Sequence, residues 1–215
     1  MEACKMKRIC KFGIVVYILI LSLTGCSEQE RIKPEKEKIS NLDEWHSIYE
    51  QTEKLDEMYG IDEIVMYVED LPVTRREIET ERLYLKDKSI KGAVDLLIWE
   101  YAAKAEAERL KIYPPQEKIN AYFEQTKQSI EDKVPGTETI YIAMDVMQLS
   151  IDEYLEKSEE VIYNLYQREA LWKYISDEDS LEDKNAYDAY FDNLMKNAKV
   201  KFKDKQIEKA YFSGK

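Results

Sequence analysis

Few residues in this sequence of 215 residues could do chemistry by themselves. The chain has one histidine, His46, and three cysteines, Cys4, Cys10 and Cys26. A metal site or an activated nucleophile needs several such groups close together. His46 has no second histidine to join it, and no cysteine follows residue 26. We therefore predict a structural or surface role for His46, and we expect neither a metal nor any other cofactor.

Acidic pairs are numerous, but they say little about function. Glu159 and Glu160, or residues 177–179, could in principle act as a general acid and base. Because the chain holds 44 acidic residues, such pairs arise by chance and we expect these to be solvated. Residues 177–179 also lack the loop spacing and central glycine of an EF-hand calcium site. The sequence thus offers no catalytic constellation, a hydrolase has no residues to support it, and we predict that the protein is not an enzyme.

Composition excludes further classes of protein. The net charge of −12 makes a nucleic-acid partner unfavourable, because the two polyanions repel each other. Six glycines and five prolines are too few for the many strand ends of an all-β sandwich or propeller. Hydrophobic residues are 44% and charged residues 35%, which indicates a folded core under a charged surface.

The N-terminal segment has the pattern of an export signal. Four basic residues precede an uncharged apolar run at positions 13–23, which is too short to span a membrane as a helix. The run ends in Leu23-Thr24-Gly25-Cys26, which resembles the lipobox of bacterial lipoproteins. The resemblance implies cleavage before Cys26, a lipid on its sulfur and a location on the extracytoplasmic face of the cell membrane. The alternative is a short uncleaved anchor that happens to contain a cysteine.

The sequence predicts three segments: a signal peptide (1–25), the lipidated Cys26 with a charged tether (26–40), and a helical domain (41–215). Removal of the signal peptide would change the net charge from −12 to −15. An anionic bilayer repels such a chain, so the lipid would have to hold it at the membrane.

Apolar residues spaced three and four apart predict helices over most of the body. Capping boxes at Thr74–Glu77 and Ser150–Glu153 predict two helix starts. The β-branched run 64–68, with residues 71–73, predicts a hairpin, and residues 200–202 predict a short strand. Further helices are predicted near residues 42–58, 90–112, 119–130, 139–147, 150–175 and 187–195, and the helix near 90–112 is expected to carry one apolar stripe.

The order of these patterns resembles the N-terminal domain of the SurA/PrsA class of extracytoplasmic foldases. Residues 68–74 stand where the family has a valine, a tight turn, a proline, an aliphatic residue and a helix-opening threonine. Residues 93–98, 105–112 and 149–154 resemble its helices, and residues 194–202 resemble its C-terminal strand. The resemblance implies a mainly α fold with a small β-hairpin joined by a C-terminal strand.

Two departures from the family pattern are visible. Glu69-Asp70 replaces the usual Asn-Gly turn of the hairpin. The segment 176–204 is also too short to hold the separate parvulin isomerase domain that normally lies there. The resemblance therefore implies the chaperone part of a foldase without its isomerase.

The predicted helix at 150–175 is apolar over more than the stripe that one packing face needs. Tyrosine is amphipathic and methionine is adaptable, which suits a surface that grips varied segments. We predict a groove that binds unfolded or extended polypeptide clients and is lined by Tyr141, Met144, Met147, Tyr163, Tyr166 and Tyr174. The alternative is that both stripes of this helix are buried against neighbouring helices.

The sequence thus predicts a membrane-tethered extracytoplasmic holdase that assists exported proteins without catalysis. The competing hypothesis is a structural subunit that docks one fixed partner in an envelope complex. The two differ in promiscuity, since a holdase protects many unrelated clients.

Overall fold

The computed structural model describes residues 42–59, 63–178 and 184–214. The predicted signal peptide, Cys26 and the tether lie outside these residues. Within the described ranges the chain is mainly helical, with a small antiparallel sheet, as predicted. The helices are α1 (Leu42–Met58), α2 (Arg75–Tyr84), α3 (Ile90–Arg109), α4 (Gln116–Glu131), α5 (Glu138–Val146), α6 (Ile151–Glu178), α7 (Lys184–Asn197) and α8 (Lys205–Ser213), and the strands are β1 (Ile64–Val68), β2 (Leu71–Thr74) and β3 (Val200–Phe202).

The sheet has the order β2-β1-β3, and both pairings are antiparallel. Glu69 and Asp70 form the two-residue turn of the hairpin with φ of 50° and 67°. Positive φ at both central residues is typical of a type I′ turn, whose twist matches that of the strands. β3 returns to the other edge of β1 and pairs Val200 with Val68. The hairpin joined by a C-terminal strand is therefore confirmed, and it forms without a turn glycine.

Both predicted capping boxes are present. The Thr74 hydroxyl accepts from the Glu77 N–H at 3.2 Å, and the Glu77 carboxylate accepts from the Thr74 N–H at 2.7 Å. The corresponding distances for Ser150 and Glu153 are 3.3 and 2.9 Å. Each pair satisfies backbone donors that the first helical turn leaves free, and so fixes where α2 and α6 begin.

The C-terminal ends of α3 and α6 differ from the prediction. α3 ends at Arg109 because Lys111 adopts a φ of 57° and the Ile112 N–H turns back to the Ala107 carbonyl at 2.8 Å. This is a Schellman ending, with lysine where glycine is usual. α6 continues to Glu178, beyond the predicted end near residue 175.

Helix α8 was not predicted. The Asp204 carboxylate caps its start by accepting from the N–H groups of Gln206 and Ile207 at 2.7 and 3.1 Å. Gly214 ends it with a φ of 72°. Both signals are readable in the sequence, but the helix is only nine residues long and buries one side chain fully, Ile207.

The described chain divides into two compact units. The first contains α1, α4, α5 and the part of α6 up to Tyr166. The second contains the sheet, α2, α3, the rest of α6, α7 and α8. The region predicted as one helical domain, residues 41–215, spans both units.

Helix α3 is buried on two faces in the second unit, so the prediction of one apolar stripe was incomplete. One face packs with the sheet, α2 and α8, and the other packs with α6 and α7. The first face contributes Ala93, Val94, Leu97 and Ile98, and the second contributes Trp99, Ala103 and Ala107. Alanines on the second face let the large Phe191 ring approach the helix, with its centroid 5.9 Å from that of Trp99.

In the first unit, α1 packs against α5. Trp45, Ile48 and Tyr49 bury one face of α1, and the rings of Trp45 and Tyr49 stack with centroids 5.7 Å apart. Ile140 and Ala143 bury the facing side of α5. This packing brings together the residues of α1 and α5 that line the candidate site.

Candidate peptide-binding groove

An open groove of about 720 Å³ lies in the first unit, where α1 and α5 meet. Its lining comes from α1, from α5 and from the loop that leads into α6. The lining residues are His46, Tyr141, Ile142, Met144, Asp145, Gln148 and Leu149. The floor is mostly apolar and the edge is polar, which is the usual chemistry of a site for an apolar ligand.

The periodicity of α5 explains which of its residues reach the groove. Ile140 and Ala143 lie three positions apart on one face and are fully buried. Tyr141 and Ile142 lie off that face, Met144 lies at its border, and all three are half-buried. The short helix therefore anchors itself with one face and presents apolar side chains to the groove with another.

The end of α5 brings Leu149 back beside the helix. Gln148 adopts a φ of 52°, and the Leu149 N–H donates to the Met144 carbonyl at 2.8 Å. This is a Schellman ending, in which the residue that donates its N–H back to the helix is often apolar and packs near the residue whose carbonyl it satisfies. Leu149 and Met144 accordingly line the same groove.

A hydrogen bond holds Tyr141 in place. Its hydroxyl donates to the backbone carbonyl of Ile130, at the end of α4. Because the polar end of the side chain is thereby satisfied, the ring can offer apolar surface to the groove.

The polar edge carries charge. His46 Nδ1 lies 3.6 Å from Glu50 Oε1, and both side chains are about half exposed, at 48% and 52%. Asp145 and Gln148 also line the groove and are exposed. His46 thus lies at the surface, and no cluster of three or more metal-ligating side chains occurs in the described part of the chain.

The six residues predicted for peptide binding do not all meet in one groove. Tyr141 and Met144 line it, whereas Met147 is only 9% exposed and belongs to the core. Tyr174 is 37% exposed and lies in the second unit. Five further lining residues were not predicted from the sequence: His46, Ile142, Asp145, Gln148 and Leu149. They come together because α1 packs against α5 and because Gln148 adopts a left-handed conformation although it is not glycine.

Tyr163 and Tyr166 are half-buried and lie elsewhere on the first unit. The Tyr166 ring meets Tyr122 edge-on at 6.2 Å, and Tyr122 meets Phe123 at 5.8 Å. Burial raises the pKa of Tyr122, a hydrogen bond with Thr126 opposes this, and Tyr166 adds to the rise. Tyr166 therefore takes part in packing, so this part of the predicted tyrosine surface of α6 is structural.

The acidic pair Glu159 and Glu160 is exposed, as expected of solvated side chains. Among the described residues, no helix combines the length and apolarity needed to cross a membrane. No protein-family profile, curated protein or solved structure matches this chain.

Proposed function

We propose that this protein is a membrane-tethered extracytoplasmic holdase that binds extended apolar segments of exported polypeptides in the α1–α5 groove. The observation that carries the proposal is an open groove floored by Tyr141, Ile142, Met144 and Leu149. The lipobox-like sequence ending at Cys26 supports the tether and the location outside the cytoplasm.

The floor suits clients of varied sequence. An aromatic ring, a flexible thioether and two branched aliphatic groups adapt to different side chains without a fixed hydrogen-bond pattern. A well-seated aromatic contributes about 1–2 kcal/mol, so a micromolar affinity of about 8 kcal/mol needs several such contacts. An extended client also loses chain entropy on binding, which keeps the complex weak and reversible, as a holdase requires.

Charge should favour neutral or basic clients. Asp145 lies at the groove, Glu50 lies beside His46 at its edge, and the whole chain carries −12. This long-range attraction weakens as salt screens it, with a Debye length of about 10 Å at 0.1 M.

The fold is consistent with the chaperone part of a SurA/PrsA-like foldase. A hairpin closed by a strand from the C-terminal region is the arrangement that the resemblance implied. Between α6 and β3, the described chain contains only helix α7. We therefore propose client binding without prolyl isomerisation.

The test uses two matched double variants of the full chain in lipid nanodiscs. Ile142→Thr with Met144→Gln makes the groove floor polar. Val134→Thr with Met58→Gln makes similar apolar-to-polar changes at sites 43% and 67% exposed outside the groove. Binding of a fluorescent Leu- and Lys-rich peptide should weaken about tenfold in the first variant, the loss expected from removing about 1.4 kcal/mol of contacts, and stay unchanged in the control.

The proposal fails if the groove variant, with an unchanged melting temperature, binds the peptide and suppresses aggregation of unfolded lysozyme as well as the control does. A fixed-partner docking subunit gives a different result. It would bind neither of two unrelated apolar peptides above background, whereas a holdase binds both.

A further inference from the structure

The C-terminal end of the second unit carries a positive charge that the rest of the chain opposes. Residues 196–215 contain seven lysines and two acidic residues and therefore carry a formal charge of +5. Residues 1–195 carry −17, and the two parts together give the net charge of −12. Four of these lysines, Lys201, Lys203, Lys205 and Lys209, lie within nine positions on β3, the following turn and α8, and all are exposed. We call this surface the basic corner.

The strand half of the basic corner lies on the outer face of the sheet. Val200 and Phe202 pack against the core, so Lys201 between them points to the other face. There Lys201 pairs with Tyr67 on β1, and the Lys203 ammonium lies 5.6 Å from the Tyr67 ring centroid.

The helix half combines charge with exposed aromatic surface. At 100° per residue, Lys205, Lys209 and Phe212 fall within about 60° of one another on α8. Ile207, on the opposite side, is buried in the core. Phe212 is 73% exposed, although its ring touches those of Tyr211 and Phe202 at 5.2 and 6.0 Å.

Acidic neighbours do not neutralise this surface. The Asp204 carboxylate forms an ion pair with Arg75 and caps the start of α8. Glu69 lies 4.0 Å from Lys199, outside the four lysines of the corner. The other acidic residue of this region, Glu208 on α8, is exposed. Lys201, Lys205 and Lys209 make no ion pair within the described residues.

We propose that the basic corner docks on an anionic lipid bilayer, with Phe212 inserting at the headgroup level. Lysines attract anionic lipids at short range, and aromatic rings favour the interface between headgroups and acyl chains. Each lysine that reaches such a surface strengthens binding about fivefold. The docking would hold the second unit at the membrane despite the repulsion of the acidic remainder. It involves no residue of the groove and does not depend on client binding.

Hydrogen exchange of the full chain reconstituted in vesicles tests this proposal. Any anchor then inserts in every sample, and only the lipid charge changes. Amides of residues 199–214 should exchange several-fold more slowly in vesicles containing phosphatidylglycerol than in pure phosphatidylcholine vesicles. The difference should vanish at 1 M salt, where the Debye length is about 3 Å.

Two charge-matched variants complete the test. Changing Lys201, Lys203, Lys205 and Lys209 to Gln should abolish the protection. Changing Lys54, Lys111, Lys133 and Lys173 to Gln, all of them exposed, should leave it intact. Phe212→Ala, which keeps every charge, should weaken it.

The proposal is overturned if residues 199–214 exchange equally in both kinds of vesicle, or if both lysine variants lose protection alike. Equal protection by a duplex oligonucleotide in place of the anionic lipid would also overturn it, because the corner would then be a general polyanion site. Inorganic phosphate alone should give no protection, since a single ion cannot engage the lysines and Phe212 together.

Discussion

At the scale of single residues, two tyrosine hydroxyls differ in whether they have a hydrogen-bond partner among the described residues. Tyr101 donates its hydroxyl to the Glu77 carboxylate that also caps α2. Tyr49 is completely buried on α1, yet its hydroxyl has no hydrogen-bond partner among the described residues. A buried polar group without a partner costs about 1–3 kcal/mol, whereas a satisfied one contributes about 1 kcal/mol.

Replacing each tyrosine by phenylalanine should therefore have opposite effects. Tyr49→Phe removes an unsatisfied group and should raise the free energy of unfolding by about 1 kcal/mol. Tyr101→Phe leaves the Glu77 carboxylate short of a donor and should lower it by a similar amount. Urea denaturation of both variants measures the two changes. A loss of stability in Tyr49→Phe would show that the hydroxyl has a partner after all, such as a bound water.

At the scale of elements, α6 is one continuous helix whose tyrosines do different work. Tyr166 packs edge-on against Tyr122 of α4, so its ring helps to hold two helices of the first unit together. Tyr174, two turns further along, is 37% exposed and lies in the second unit. The stripe that looks uniform in the sequence is therefore part packing and part surface.

Serine substitutions separate these roles. Tyr166→Ser loses an aromatic contact and buried ring surface, and should lower the free energy of unfolding by about 2–3 kcal/mol. Tyr174→Ser removes a ring that is 37% exposed and should lower it by a smaller amount, about 1 kcal/mol. Thermal unfolding followed by circular dichroism compares the two. Equal losses in both variants would mean that the stripe is packed along its whole length.

At the scale of the whole molecule, burial makes the protein sensitive to alkali. Burial raises the pKa of Tyr49, and burial together with the nearby Asp95 carboxylate raises the pKa of Tyr211 to about 12. The unfolded chain has ordinary tyrosines with a pKa near 10. Because the folded pKa values are higher, the stability they contribute is complete below pH 10 and is lost as the pH rises above it.

The melting temperature should therefore fall steeply above pH 10. Tyr49 lowers the free energy of unfolding by up to about 1.4 kcal/mol per pH unit between its unfolded and folded pKa values. Tyr211 contributes less, because it is only partly buried and solvent screens its interactions. Tyr49→Phe should show a visibly shallower fall, while Tyr113→Phe serves as a control with the same chemical change at a side chain that is 63% exposed. If the melting temperatures of the wild type and Tyr49→Phe fell in parallel above pH 10, burial of Tyr49 would not be a cause of the fall.

The proposed membrane attachment also concerns the whole molecule, and its prediction comes from the sequence alone. Cys26→Ala should leave the precursor uncleaved by the lipoprotein signal peptidase and unlabelled by a fatty-acid analogue, because the thioether acceptor is gone. Cys10→Ala changes the same chemical group within the predicted signal peptide and should be processed normally. Fatty-acid labelling of Cys26→Ala at the wild-type level would refute the lipidation site.

The sequence by itself determined most of the secondary structure, because its signals are local. The capping boxes at Thr74 and Ser150 and the β-branched run before Glu69 act within a few residues. The positive φ of Glu69, Lys111 and Gln148 could not be predicted from neighbouring residues in the same way. None of the three is glycine, so the surrounding structure imposes the conformation.

Only the tertiary structure decided which apolar residues form a site. The sequence marks Tyr141, Met144, Met147 and Tyr166 alike, but packing buries Met147, pairs Tyr166 with Tyr122 and leaves Tyr141 and Met144 at a groove. Periodicity tells which side chains share a helix face, not which neighbour covers that face. The covering depends on contacts between residues far apart in the sequence, such as those of α1 with α5, and these form only when the chain folds.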